Sequence, residues 1–219
     1  FRRGVTEGDI TPQAMKFATF AMLVLAAVTG CLLIYYGGWW LIPVGICILL
    51  AALAYSTGPY PLSHHGLGDI TVVIFFGIIP VTFTYYLQTG GWERMPQVLT
   101  TSAAIGMLAA NVLIVNNYRD MDDDRAVGKH TTAVIFGRKV MGNIYLISGI
   151  LAMILMIPLW IHLPFWTLLV PILYLMLHIA TWRKLTVSEG SALNPILGRT
   201  AINLLFFSLR HISINTDTF

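Results

Sequence analysis

The chain has 219 residues, of which 57% are hydrophobic and 11% charged, with a mean hydropathy of +0.75. That balance excludes an ordinary soluble domain, in which charged residues make up about a quarter of the chain, and marks an integral membrane protein. The net charge of +3 is too small, and its Lys and Arg too dispersed, for a nucleic-acid surface.

Taken in chain order, apolar stretches predict spanning helices at 15–36, 39–57, 69–89, 96–116, 140–161, 164–182 and 196–209. Each is close to the ~20 residues that a bilayer core requires. The expected fold is all-α, a polytopic transmembrane helical bundle of about seven spans forming a single domain over residues 1–219. Pro43, Pro80, Pro158 and Pro171 fall inside these stretches and predict kinks. Cys31 and Cys47 lie in apolar spans without a His or Cys at metal-ligand spacing, so both are expected to pack in the core.

Topology follows from the basic residues. Arg2, Arg3 and Lys16 precede the first span, Arg119, Arg125, Lys129, Arg138 and Lys139 fill the central loop, and Arg183 and Lys184 follow the sixth span. These ends share one side, which the positive-inside rule makes cytoplasmic; the other side holds only Arg94 and Arg210. Trp39, Trp40, Trp92, Trp160 and Trp166 would mark the outer boundary and Trp182 the inner one. The expected location is the cytoplasmic membrane, with the chemically rich loops facing the cytoplasm.

Two of those loops concentrate polar chemistry. The first runs from Tyr55 to Asp69 and includes Gly58-Pro59-Tyr60-Pro61-Leu62 and His64-His65. The second, Asn116 to Lys139, opens with Asn116-Asn117-Tyr118-Arg119-Asp120-Met121-Asp122-Asp123-Asp124-Arg125. Asn116, Asp120 and Asp124 recur every four residues, so a helix continuing through the segment would place them on one face. Carboxylates stacked in this way repel each other, and a divalent cation relieves the repulsion. Hard oxygen ligands suit Mg²⁺, which keeps few carboxylates and completes its shell with water and phosphate oxygens. Lys129 and Arg125 could neutralise the remaining phosphate charge, so the loop outlines a diphosphate site. A solvated loop whose charges only enforce topology is the plainer alternative; the four-residue period and the membrane-edge position weigh against it.

The stretch from Asn116 to Asp124-Arg125, with Gly128-Lys129 and Thr131, resembles the second Asp-rich motif of the UbiA-type intramembrane prenyltransferases, and among them the 1,4-dihydroxy-2-naphthoate polyprenyltransferase branch. Gly66-Leu67-Gly68-Asp69, Phe75-Phe76-Gly77, Tyr85-Tyr86-Leu87-Gln88-Thr89 and Asn194-Pro195-Ile196-Leu197-Gly198-Arg199-Thr200 resemble further stretches of that branch. The resemblance implies a helical bundle in which two Asp-rich motifs face each other across Mg²⁺ and a polyprenyl diphosphate. The first of those motifs has no counterpart here, so the chain is expected to lack two N-terminal spans of nine. The tail from Ser208 to Asn215 departs from the family's apolar last helix.

By resemblance, Asp120, Asp124 and Asn116 would hold Mg²⁺, and Lys129 and Arg125 would help release the diphosphate until the allylic C–O bond breaks. An aromatic acid would then capture the prenyl cation, with loss of CO₂ when the acceptor is 1,4-dihydroxy-2-naphthoate. Substrate-binding candidates are Asn117, Arg119, Lys129, Tyr55, Tyr60, His64, His65 and Asn111; the two His could bind or deprotonate a phenol. Asp69 follows Gly68 at a helix start and reads as an N-cap. Asn143, His178 and Asn203, polar groups in or near spans, read as interhelical hydrogen-bonding residues. Alternatives are a relative that uses 4-hydroxybenzoate or homogentisate, and a non-enzymatic ion-coupled transporter.

Overall fold

The computed structural model describes residues 8–160, 164 and 168–215, with side chains described to residue 208. Expectations resting on Arg2, Arg3, Trp166 and the Arg210 side chain lie outside the described residues. Every regular element within them is helical, and the chain divides into two compact units, Phe1–Leu49 and Leu50–Phe219.

The first unit holds α1 (Pro12–Gly37) and the larger part of α2 (Leu41–Ser56). Thr11 starts α1 by accepting a hydrogen bond from the Ala14 N–H at 3.2 Å, and Pro12 occupies the first turn, where no N–H is needed. Along α1 the hydroxyls of Thr19 and Thr29 donate to carbonyls of their own helix, so these two groups need no partner on another helix. Cys31 and Cys47 are both exposed, which corrects the expectation that they pack in a core.

In the second unit, α3 (Gly68–Val73), a π-helical turn (Ile74–Ile78) and α4 (Ile79–Thr89) run as one rod over Gly68–Thr89. The wide turn has a cause in the sequence. Pro80 has no N–H to give and its ring crowds the carbonyl of Phe76, so the helix widens there instead of kinking. Pro43 and Pro171 sit in first turns, where a missing N–H breaks little, whereas Pro158 lies inside α7 within a turn of its end and removes a bond to the Ile154 carbonyl. Next come α5 (Met95–Arg119), the short α6 (Met121–Ala126), α7 (Thr132–Trp160), α8 (Leu169–Val187) and α9 (Asn194–Asn215). Gly137, at φ 78°, interrupts the first turns of α7.

The protein is an integral membrane protein with several candidate spanning helices. Among the described residues, four are long and apolar enough to cross a bilayer: Pro12–Gly37, Gly68–Thr89, Met95–Arg119 and Thr132–Trp160. Leu41–Ser56 is apolar but only 16 residues long. The stretches expected at 164–182 and 196–209 fold as α8 and α9 without meeting the same length and composition criteria.

Helix α5 is the axis of the second unit, packing on α3, the π turn, α4, α7 and α9. Its approach to the rod depends on two glycines. A side chain on Gly77 would overlap backbone atoms of Gly106 and Ser102, and one on Gly106 would overlap the backbone of Val73. Small residues at a crossing bring backbones close enough for dispersion to hold helices together where lipid offers no hydrophobic gain. Two apolar clusters fill the interior: Ala104, Leu108, Met156, Trp160, Tyr174 and Phe207 with their neighbours, and Ile114, Val115, Tyr118, Met121, Tyr145 and Ile196 with theirs. Trp160 thus belongs to the packed interior, not to an exposed aromatic boundary.

Candidate functional site

The helix expected over 96–116 extends to Arg119, stops there and restarts at Met121, with Asp120 as the junction. The Asp124 N–H still donates to the Asp120 carbonyl at 2.8 Å, so the backbone keeps its helical succession. The two carboxylates have different cationic partners. Asp120 receives Arg119 Nε at 2.7 Å and a second guanidinium nitrogen at 2.9 Å, a two-point grip held largely away from solvent. The same guanidinium donates to Asn116 Oδ1 at 2.7 Å and to Asn194 Oδ1, at the head of α9, at 3.0 Å.

Asp124 is buried and accepts from Lys129 Nζ at 3.1 Å, while the Lys129 N–H closes a turn onto the Asp124 carbonyl at 2.9 Å. Arg125 is exposed and lies 3.5 Å from Asp122, which Arg138 also holds at 2.8 Å. Asp123 is exposed and Asn117 buried. Directly beneath, Tyr118 and Met121 enter the apolar cluster, so the polar loop is seated on packed side chains.

The two polar loops meet. The His130 N–H donates to the His64 carbonyl at 2.9 Å, and Thr132 Oγ1 donates to Asp69 Oδ2 at 2.5 Å. His65 stacks on Tyr60 with ring centroids 3.5 Å apart, and its Nδ1 lies 2.8 Å from the Pro61 carbonyl. The Tyr55 hydroxyl borders Gly68, next to Asp69. Asn111 is buried deeper in α5 and accepts from Ser148 at 2.6 Å, an interhelical bond to α7.

His178 and Asn203 also act between helices, as polar residues in spans usually do. His178 Nε2 lies 3.1 Å from the Tyr145 carbonyl, and Asn203 donates to Thr181 at 3.1 Å. Asn143 is exposed.

Sequence reasoning undervalued several residues. Asp69 is not an N-cap: the capping position is Leu67, and the Asp69 carboxylate reaches across to Thr132. Thr132, Arg138 and Asn194 join the candidate residues through their contacts with Asp69, Asp122 and Arg119. The Asn194-Pro195 helix start was a usable signal for Asn194, but its distance along the chain hid its contact with Arg119.

For Mg²⁺, the donor chemistry fits in part. Asn116 Oδ1 and both Asp120 carboxylate oxygens are hard donors that converge on one cationic group, the Arg119 guanidinium. Among the described residues no group of three His, Cys, Asp or Glu side chains is placed to hold a metal ion.

A polytopic helical membrane protein with a charged, loop-borne site defines the class. The sequence profile of the UbiA prenyltransferase family matches residues 2–201, and the chain belongs to that family. It is similar to the 1,4-dihydroxy-2-naphthoate octaprenyltransferases of Escherichia coli strain K12 (38% identity over 141 residues, 62% of this chain and 45% of the relative) and Haemophilus influenzae (33% over 154 residues, 65% and 47%). A third, from Mycobacterium tuberculosis, is 32% identical over 153 residues, 67% of this chain and 51% of the relative. The chain thus matches about half the length of these curated relatives. No solved structure matches it significantly.

Proposed function

We propose that this chain carries an Asp-rich motif of a cytoplasm-facing site, in the cytoplasmic membrane, that transfers a polyprenyl group from a polyprenyl diphosphate to an aromatic acid. The acceptor we infer is 1,4-dihydroxy-2-naphthoate, with loss of CO₂, as in menaquinone synthesis. One observation carries the reading: alternating carboxylates and cations, Asp120 with Arg119 and Asp124 with Lys129, lie on the loop that docks onto the Tyr55–Asp69 loop. Similarity to relatives named for the naphthoate acceptor supports the choice of substrate.

In this reading Asn116, Asp120 and Asp124 would hold Mg²⁺, which when bound neutralises the departing diphosphate. Lys129, paired with Asp124, and exposed Arg125 bind phosphate oxygens, while Arg119 orients Asp120 and Asn116. Apolar helix walls keep water from the reacting allylic carbon. Tyr55, Tyr60, His64 and His65 supply the aromatic and polar edge that faces the acceptor. The test is incubation of membranes containing the full-length protein with radiolabelled polyprenyl diphosphate and a panel of aromatic acids, with and without chelator. Chelator-sensitive labelling of the naphthoate is the expected result; labelling of none of the acids refutes the reading, and exclusive labelling of 4-hydroxybenzoate or homogentisate moves the acceptor.

A further inference from the structure

The Asp69 carboxylate has a use that the proposed diphosphate chemistry does not absorb. Oδ2 is fixed by the Thr132 hydroxyl at 2.5 Å, whereas Oδ1 is buried and has no hydrogen-bond partner among the described residues. A buried carboxylate oxygen without a donor is costly, and a ligand hydroxyl that reached it would remove that cost. The carboxylate stands in the first turn of α3. Its surroundings suit an aromatic guest. The Tyr55 hydroxyl borders Gly68, and the stacked Tyr60–His65 pair belongs to the same loop. Thr132, which holds Asp69, follows Lys129 closely in sequence, so one short segment serves both the phosphate-binding cation and this oxygen.

We propose that Asp69 Oδ1 accepts the ring hydroxyl of the aromatic acceptor, making Asp69 a substrate-binding and specificity-determining residue for hydroxylated aromatics. The inference rests on the transferase reading above. A phenolic O–H donating to a carboxylate forms a charge-assisted bond, stronger than a neutral one, and leaves the ring richer in electrons toward an electrophilic prenyl group. A site built to bond a hydroxyl also rejects an analogue that lacks it, because its buried acceptor is then left unpaired.

The experiment uses membranes containing the full-length protein and measures initial rates while each substrate is varied in turn. Asp69→Asn should raise KM for the hydroxylated acceptor at least about tenfold and leave KM for polyprenyl diphosphate within about twofold. Wild-type protein should prefer the free hydroxyl over its methyl ether by about tenfold or more, a preference that Asp69→Asn loses. An unchanged acceptor KM in Asp69→Asn overturns the inference, as does an equal loss toward both substrates, which would make Asp69 a loop latch only. If the variant does not accumulate in the membrane, the wild-type comparison decides: equal use of hydroxyl and methyl ether overturns the proposal, and a strong preference for the hydroxyl supports it. Absence of transfer by the wild type to any hydroxylated aromatic sinks the transferase reading itself, an outcome distinct from wild-type activity with an indifferent Asp69→Asn.

Discussion

Helices α1 and α5 look alike to a hydropathy scan and differ in almost everything else. Both are long and apolar enough to cross a bilayer, yet half of the most apolar stretch of α5 is buried within the protein and none of α1's is. The difference is written in their minor residues. Helix α5 carries Ser102, Gly106, Asn111, Asn116 and Asn117, small or polar groups that need a close neighbour, whereas the Thr19 and Thr29 hydroxyls of α1 are satisfied on their own helix. In lipid, hydrophobicity selects which segments enter the membrane, and small and polar residues select which of those face protein.

The sharpest way to break the comparison is at the end of α5. Asp124→Ala removes the buried partner of Lys129, and Asp120→Ala the partner of Arg119; either should cut prenyl transfer in membranes by at least about a hundredfold without lowering membrane insertion. Turnover near wild type in both variants would detach the site from the acidic loop.

Next in size is the helix crossing. Gly106→Val would force a side chain into the Val73 backbone and should cost about 1–3 kcal/mol or more, read as a lower aggregation temperature in detergent. Gly30→Val in α1 meets nothing within 4 Å and should shift that temperature little. Equal sensitivity at the two positions would abolish the distinction between the helices.

Smaller still is the bond between Ser148 and Asn111, which links α7 to α5 at 2.6 Å. A double-mutant cycle with Ser148→Ala and Asn111→Leu should give a coupling of about 0.6 kcal/mol, typical of hydrogen bonds between membrane helices. The smallest effect belongs to Thr29→Val in α1, a few tenths of a kcal/mol, because its hydroxyl bonds only carbonyls of its own turns. A larger loss there, measured by the same thermal assay, would mean that α1 relies on polar contacts after all.

The local pairings of the candidate site were legible in the residues because neighbours in sequence make them. The spacing of Asn116, Asp120 and Asp124, and the proximity of Lys129 in sequence, placed these groups at one helix end, and the structure pairs Asp124 with Lys129 across a single turn. The junction at Asp120 was not legible. Nothing in Arg119-Asp120-Met121 signals a stop as Gly or Pro would, and Arg119 turns to Asn194, far along the chain. Asp69 read as a cap because Gly-Asp at a helix start usually is one, and only the packing of one loop against the other put Thr132 within reach.

The sequence by itself determined that this is a helical membrane protein, roughly where its helices lie, with the start of α7 eight residues and the bounds of α8 five residues from expectation, and which loops carry charge. Composition and period are properties of a chain read one stretch at a time, and a bilayer filters them directly. Only the tertiary structure decided that the two polar loops share hydrogen bonds, that Arg119 sits between Asn116, Asp120 and Asn194, and that one oxygen of Asp69 stays buried without a donor among the described residues. Those facts depend on contacts between distant segments, which arise when small residues let helices close on one another and leave no trace in any single stretch of the chain.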